Sequence, residues 1–243
     1  MQAHRALAVL GVAAALAAAR ADSLLLRNDL PGTWIDATNG TPLGISGDQV
    51  ADITSPIGNS VFAAGTWHVG NNGAVGFGTD ATLPPVTDQI PTQQLFNGQQ
   101  SAAPFADDIG NDTGDIFWKV AHGDGPGSDI LVIEWHDKRF EGHADTSRFQ
   151  IQIFADPGPA QIFAQFLYQD IEQPWPNGGE IATIGYQDGG AGFSDFQWSY
   201  HVAGAVSNGT VLSLVPVPEL AGATLLLVVI AALRRLEFLD RFQ

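Results

Sequence analysis

Asp129-Ile-Leu-Val-Ile-Glu-Trp135 decides the fold class. Five of its seven residues are apolar and two are β-branched Ile, and the turn-rich run Gly123-Asp-Gly-Pro-Gly-Ser128 stands immediately before it. Such a stretch reads as a short strand buried on both faces at the centre of a sheet. Downstream, Phe149, Ile151 and Ile153 alternate with Arg148, Gln150 and Gln152, the period of a half-buried strand with its polar side outward. Gln161–Tyr168 and Glu180–Tyr186 repeat the pattern less cleanly. From these strands the expected core is Ile130, Val132, Phe149, Ile151, Ile153, Ile162, Phe166 and Ile184.

Composition agrees with an all-β chain. Across 243 residues, 28 Gly and 14 Pro suit many short strands joined by tight turns. Discounting both ends leaves about 190 residues, enough for one domain with a sizeable core. The fold class expected is a single jelly-roll-like β-sandwich over residues 22–214. Residues 1–21 are set apart as a signal peptide and 215–243 as a sorting and membrane-anchor segment. Between Asp22 and Leu214 there are 23 acidic residues against five basic ones, a net of −18. That surface repels phosphate backbones, so nucleic acid is excluded as a partner, while solubility or cation binding is favoured. The absence of cysteine excludes disulfides, thiolate metal sites and thiol catalysis.

At the N-terminus, Met1–Arg5 is a short basic segment, Ala6–Ala19 is apolar, and Ala19-Arg20-Ala21 fits a small-residue cleavage site. This is the pattern of a secretory signal peptide cut at Ala19 and Ala21, leaving Asp22 as the new N-terminus. Further on, Leu24–Leu26 and Trp34-Ile35 are apolar pieces between turn residues. Ser60–Ala63 is expected to pair with Thr66–Val69, and Asn71-Asn-Gly73 signals a turn before the strand Ala74–Gly78. Thr82–Ala103 reads as a long loop covering a sheet edge.

Ala103–Asp115 is the stretch richest in candidate ligands. Asp107, Asp108, Asp112 and Asp115 crowd a loop that leads into the strand Ile116–Val120. Oxygen ligands on a loop suit Ca²⁺, although the spacing is not that of an EF-hand: counting from Asp108, the sixth position is Thr113 and the twelfth Lys119. Ordinary turn chemistry, with Asp and Asn side chains bonding nearby amides, is the competing account. No other cofactor is implied.

Catalytic patterns are weak. His68, His122, His136, His143 and His201 are scattered without a defensible ligand spacing, and Ser128 does not sit in a nucleophile elbow. A carboxylate pair such as Glu134 with Glu172 is conceivable for glycoside chemistry, but Glu134 on a central strand is better read as a partner of Lys138 or Arg148. Trp67, Trp118, Trp135, Trp175 and Trp198 offer stacking surface for sugars or, more commonly, core. The expectation is therefore a protein that is not an enzyme. An envelope carbohydrate-binding protein or glycoside-active enzyme is the alternative.

Val69–Gly78, Ala103–Asp108, Gly114–Trp118, Leu131–Trp135, Phe149–Ile153, Phe166–Asp170 and Ala182–Gln187 follow one another in an order that resembles the β-rich extracellular domain of nidogen-type modules and many bacterial surface proteins. The resemblance spans Thr33 to Gly204. It implies a β-sandwich for adhesion or display, with no catalytic residues to carry over. The Cys-rich neighbours of animal nidogens are missing, so a basement-membrane role is not implied.

The C-terminus resembles the PEP-CTERM sorting signal. Val217, Pro218 and Glu219 form the short motif, Leu220–Leu233 the apolar run, and Arg234 and Arg235 the basic stop. The resemblance implies an inner-membrane intermediate, processing by an exosortase-type peptidase, and release to the cell surface or extracellular matrix. Extracellular polysaccharide is a possible associate. Two departures stand out: Leu220 occupies the place of the usual second Pro, and the tail continues through Leu236–Gln243. The run is 14 residues, short of the ~20 that span a bilayer comfortably.

Overall fold

The computed structural model describes residues 23–79, 81, 89–110, 113–123, 128–140, 145–171, 182–190 and 194–217. The compact unit is Ser23–Pro216. Both flanking segments expected to be helical lie outside the described residues, apart from residues 215–217, of which Val215 and Pro216 complete the last strand. Among the described residues of the unit there are thirteen strands and no α-helix. They are β1 (Leu24–Arg27), β2 (Thr41–Pro42), β3 (Val50–Ser55), β4 (Gly65–Gly70), β5 (Ala74–Phe77), β6 (Gln100–Ala106) and β7 (Asp115–Ala121). The remainder are β8 (Ile130–Arg139), β9 (Thr146–Phe154), β10 (Ala164–Ile171), β11 (Thr183–Gln187), β12 (Phe196–Tyr200) and β13 (Val211–Pro216).

Two antiparallel sheets result. The first has the order β1-β13-β10-β9-β8-β7-β2, the second β12-β11-β6-β5-β4-β3. Consecutive strands mostly stay within one sheet, as the runs β3–β6 and β7–β10. The arrangement is thus two packed meanders, where a jelly roll would alternate between sheets. Short connections account for most of these pairings, because each closes little chain before the next strand pairs; β5 and β6 are the exception, joined by the long segment 78–99.

The core follows from register. On the inner face of the first sheet, Trp118, Ile133, Ile151, Phe166 and Leu212 form one row across five strands. Ile116, Trp135, Phe149 and Tyr168 form a second row. The Trp135 and Phe149 rings stack at 5.0 Å. Facing them from the second sheet are Trp67, Val69, Val75, Ala102, Phe105, Ile184 and Tyr186, in the same apolar cluster. Burying one such large side chain is worth about 1.5–3 kcal/mol. Polar contacts tie the sheets together: the Trp135 indole N–H donates to Gly70 O at 3.1 Å, and the Tyr168 hydroxyl donates to Pro104 O. Pro104 interrupts β6 where the register against β11 shifts by one residue. A bulge is where a sheet tolerates proline, and it frees this carbonyl for Tyr168.

Six of the eight expected core residues are buried, but Ile130 and Ile162 are only half-buried. Ile162 lies before β10, which begins at Ala164, and Ile130 opens β8 on the face away from the core. Ser60–Ala63 is not a strand; β4 pairs with β3 and β5 instead. The stretch expected as an edge-covering loop, 82–103, contains the 3-10 turn Phe96–Gly98 and the start of β6. Its described part covers a face of the second sheet, where Ile90, Leu95 and Phe96 pack on Ala74, Ala103 and Ala106. A Cβ on Gly76 would lie 2.4 Å from the Phe96 ring, so only glycine leaves room for it.

The largest departure concerns the polar positions of the central strands. Gln150, Gln152 and Gln165 are not exposed; they are 0%, 2% and 3% accessible. Residues 28–40 cross the outer face of the first sheet as an irregular strap, from β1 beside β13 to β2 beside β7. A backbone without its own ladder must find partners when buried. Side chains from successive strands supply them. Gln165 on β10 donates to Pro31 O (2.9 Å), and Gln152 on β9 donates to Thr33 O (2.8 Å). Glu134 on β8 accepts from Ala37 N (2.8 Å), and Lys119 on β7 donates to Asp36 O. The amide of Gln offers donors and an acceptor in one side chain, which suits it to gripping irregular chain. The second sheet repeats the device: Gln187 accepts from Thr92 N and Gln197 from Ile90 N (2.9 Å).

Candidate functional site

The site begins with a bulge in β8. Trp135 pairs with Phe149, but Lys138 pairs with Ser147, so β8 carries one extra residue between them. Asp137 takes up the excess at φ 53°. The facing loop accommodates it only through Gly114, at φ 61°, where a Cβ would sit 2.0 Å from His136 O. The bulge reverses the alternation, and Lys138 falls on the side of the sheet that carries the core rows.

There Lys138, at 2% accessibility, forms one wall of a cleft of about 310 Å³. Residues 44–46 and 113–115 form the others. Among the described residues its ammonium makes one hydrogen-bond contact, to Ile45 O at 3.5 Å. Burial pushes its pKa down from the ordinary lysine value, and the Asp115 charge works against that shift. Asp115 Oδ1 accepts from Gly44 N (2.9 Å) and Ile116 N (2.7 Å), which fixes the carboxylate. Thr113 Oγ1 is buried without a hydrogen-bond partner.

A second polar group lies on the outer face. Glu134, fully buried, accepts from Ala37 N with Oε2 and meets His136 Nδ1 with Oε1 at 2.6 Å. Asp137 then pairs with Arg148 at 2.5 Å. The expected partners of Glu134, Lys138 and Arg148, are both elsewhere: the bulge separates Lys138 from it, and Asp137 takes Arg148.

The four expected calcium ligands are distributed as follows. Asp107 is buried at 4% accessibility; its Oδ1 accepts from Asp108 N (2.7 Å) and its Oδ2 has no partner. Burial raises its pKa to about 7. Asp108, next to it, is half-buried, Asp115 belongs to the cleft, and Asp112 lies outside the described residues. Among the described residues, no three His, Asp or Glu side chains converge in a way that could hold a metal ion. His68 is committed to Asp52 (2.6 Å) and Gly78 O (3.0 Å). Trp67 and Trp135 are core, Trp118 and Trp198 are half-buried against it, and Trp175 and Glu172 lie outside the described residues. Of the sorting motif, Val217 is described and exposed. Pro218, Glu219, Arg234, Arg235, Ala19 and Ala21 lie outside the described residues. Among those described, no helix is long and apolar enough to cross a membrane.

Sequence reading did not single out Lys138, Thr113 or residues 44–46 as a site. One signal was available: Lys138 is one of only five basic residues between Asp22 and Leu214, and it stands three residues beyond Trp135, the end of the buried strand run.

No curated protein and no solved structure matches the chain. The sequence model of the family described as NIDO related matches residues 28–219, nearly the whole of the sandwich from the strap to the end of β13. The chain belongs to the NIDO-related family.

Proposed function

We propose that this is an exported, non-catalytic surface or matrix protein that displays its NIDO-related domain, in an adhesive role, after its tail has held it in the membrane for sorting by an exosortase-type peptidase. The observation that carries this reading is the pairing of β1 with β13, in which Leu24 is the register partner of Pro216. Both ends of the domain leave from adjacent strands at one edge, next to the positions where the sequence reading places leader cleavage and the sorting motif. A domain held there has one point of attachment and keeps its remaining surface available. Membership in a nidogen-related family suggests an extracellular or exported protein. The acidic surface keeps such a domain soluble outside the cell. The non-catalytic element rests on Glu134, the most buried carboxylate of the central strand, being taken up by Ala37 N and His136.

Terminal mass spectrometry of the extracellular fraction, from an exosortase-bearing bacterium expressing the chain, tests this reading. A mature form beginning at Asp22 and ending close to Val217–Glu219 is the expected result. A chain recovered only from the cytosol and still beginning at Met1 overturns it.

A further inference from the structure

The cleft at Lys138 is built from groups whose hydrogen bonding is incomplete. A lysine ammonium has three donors, and the one contact Lys138 makes among the described residues, at 3.5 Å, lies beyond the usual hydrogen-bond range. Thr113 Oγ1 is buried and unpartnered. Asp115 is held through Oδ1 by two backbone amides, and its Oδ2 makes no hydrogen bond among the described residues. Buried polar groups are normally satisfied, and those that are not ask for a ligand or water.

Charge narrows the choice of ligand. Lys138 and Asp115 together leave the cleft without net charge, inside a domain that carries a net of −18 between Asp22 and Leu214. The field of the protein opposes a free anion, and the ammonium opposes a divalent cation. What complements a fixed donor, a fixed acceptor and a hydroxyl is a neutral group that both donates and accepts at adjacent atoms. A cleft of about 310 Å³ is at the small end of ligand sites, which run ~300–1,000 Å³, and suits one ring.

We propose that this cleft binds a neutral vicinal diol of the kind carried by a single sugar residue. One hydroxyl oxygen accepts from the Lys138 ammonium while its O–H donates to Asp115 Oδ2, and the neighbouring hydroxyl pairs with Thr113 Oγ1. The inference deepens the display function by naming a ligand class, polyhydroxylated saccharide. It rests on the cleft alone, so binding by purified protein is decided separately from export and tail processing.

The experiment titrates the full mature chain, in a detergent without sugar groups, with methyl glycosides of glucose, mannose and galactose. A 2,3-dideoxy methyl glycoside, inorganic phosphate and Ca²⁺ serve as controls. Amide shifts of Gly44, Thr113 and Gly114 are followed by NMR, together with the side-chain Cε–H signal of Lys138. At least one glycoside is expected to shift these amides and the Lys138 signal, while the dideoxy compound does neither. A site built to hydrogen-bond a hydroxyl discriminates strongly against its absence, so Lys138→Met and Thr113→Val should each weaken binding by about tenfold or more. No shift with any glycoside, an unchanged affinity in Thr113→Val, or a response to phosphate or Ca²⁺ alone overturns the proposal. Should Lys138→Met fail to fold by circular dichroism, the Thr113→Val titration and the Lys138 signal in the parent decide it.

Discussion

The Glu134 carboxylate accepts the Ala37 backbone N–H at 2.8 Å across 97 residues of sequence, and this buried contact pins the strap to the central strand. The same carboxylate holds His136. Glu134→Ala removes both partners and leaves the Ala37 amide unsatisfied. A charge-assisted bond is worth ~1.5–3 kcal/mol, so the loss in unfolding free energy should reach about 3 kcal/mol. Glu134→Gln keeps an acceptor and should cost less. Chemical denaturation measures the stability, and hydrogen exchange at Ala37 shows whether the strap itself is released.

Gly76 and Phe96 compete for one volume. With the Cβ of Gly76→Ala placed 2.4 Å from the ring, the substitution should displace Phe96 and cost about 1–3 kcal/mol, as overpacking does. In Phe96→Ala the ring is gone, and adding Gly76→Ala should then be nearly neutral. A double-mutant cycle that is additive would contradict the packing of the loop on this face.

Asp107 sets a pH dependence. Its folded pKa of about 7 lies above the ordinary 3.8 because burial disfavours the charged carboxylate. With a raised folded value, its favourable share is fully present below about pH 4 and is lost as the pH climbs through 7. The full difference corresponds to roughly 4 kcal/mol at most. Asp107→Asn should therefore melt higher than the parent at pH 8 and lose that advantage at pH 4. Calcium bound at this loop would hold Asp107 ionised, raise the melting temperature and flatten the parent's profile. Melting curves that coincide in millimolar calcium and in chelator return Asp107, Asp108 and Asp112 to turn chemistry.

The tail is expected to stop in the membrane only marginally. Fourteen helical residues reach about 21 Å, against a hydrocarbon core of ~30 Å. Val228→Asp, in the middle of the run, should cost about 2.5–3.5 kcal/mol of insertion and send the chain directly into the soluble exported fraction. Retention as strong as the parent's, combined with failure of the isolated tail to anchor a reporter, would remove the sorting reading.

Local pattern made the central sheet legible. Alternation in 148–153 places Phe149, Ile151 and Ile153 on one face whatever they pack against, because successive side chains of a strand point to opposite sides. The apolar run 130–133 likewise announced a strand covered on both faces, and residues 131–135, Glu134 included, are buried as a block. The order of motifs along the chain carried the nidogen-type resemblance, and the family match bears it out.

What covers those faces was decided in three dimensions. Gln150, Gln152, Gln165 and Gln187 look like surface residues in sequence, since an amide between apolar neighbours ordinarily turns to water. Here irregular chain lies over both sheets, and its unpaired backbone groups need donors and acceptors from the strands below. Nothing local to Gln152 says that Thr33, 119 residues away, will supply its partner. The cleft has the same origin. Lys138 follows an alternation that would leave it outside, and a single extra residue in β8, accommodated by Gly114 of the facing loop, turns it inward beside Asp115. A strand's period is a property of its own residues. A bulge, or the segment laid across a face, depends on which distant residues arrive there, and only the folded chain settles that.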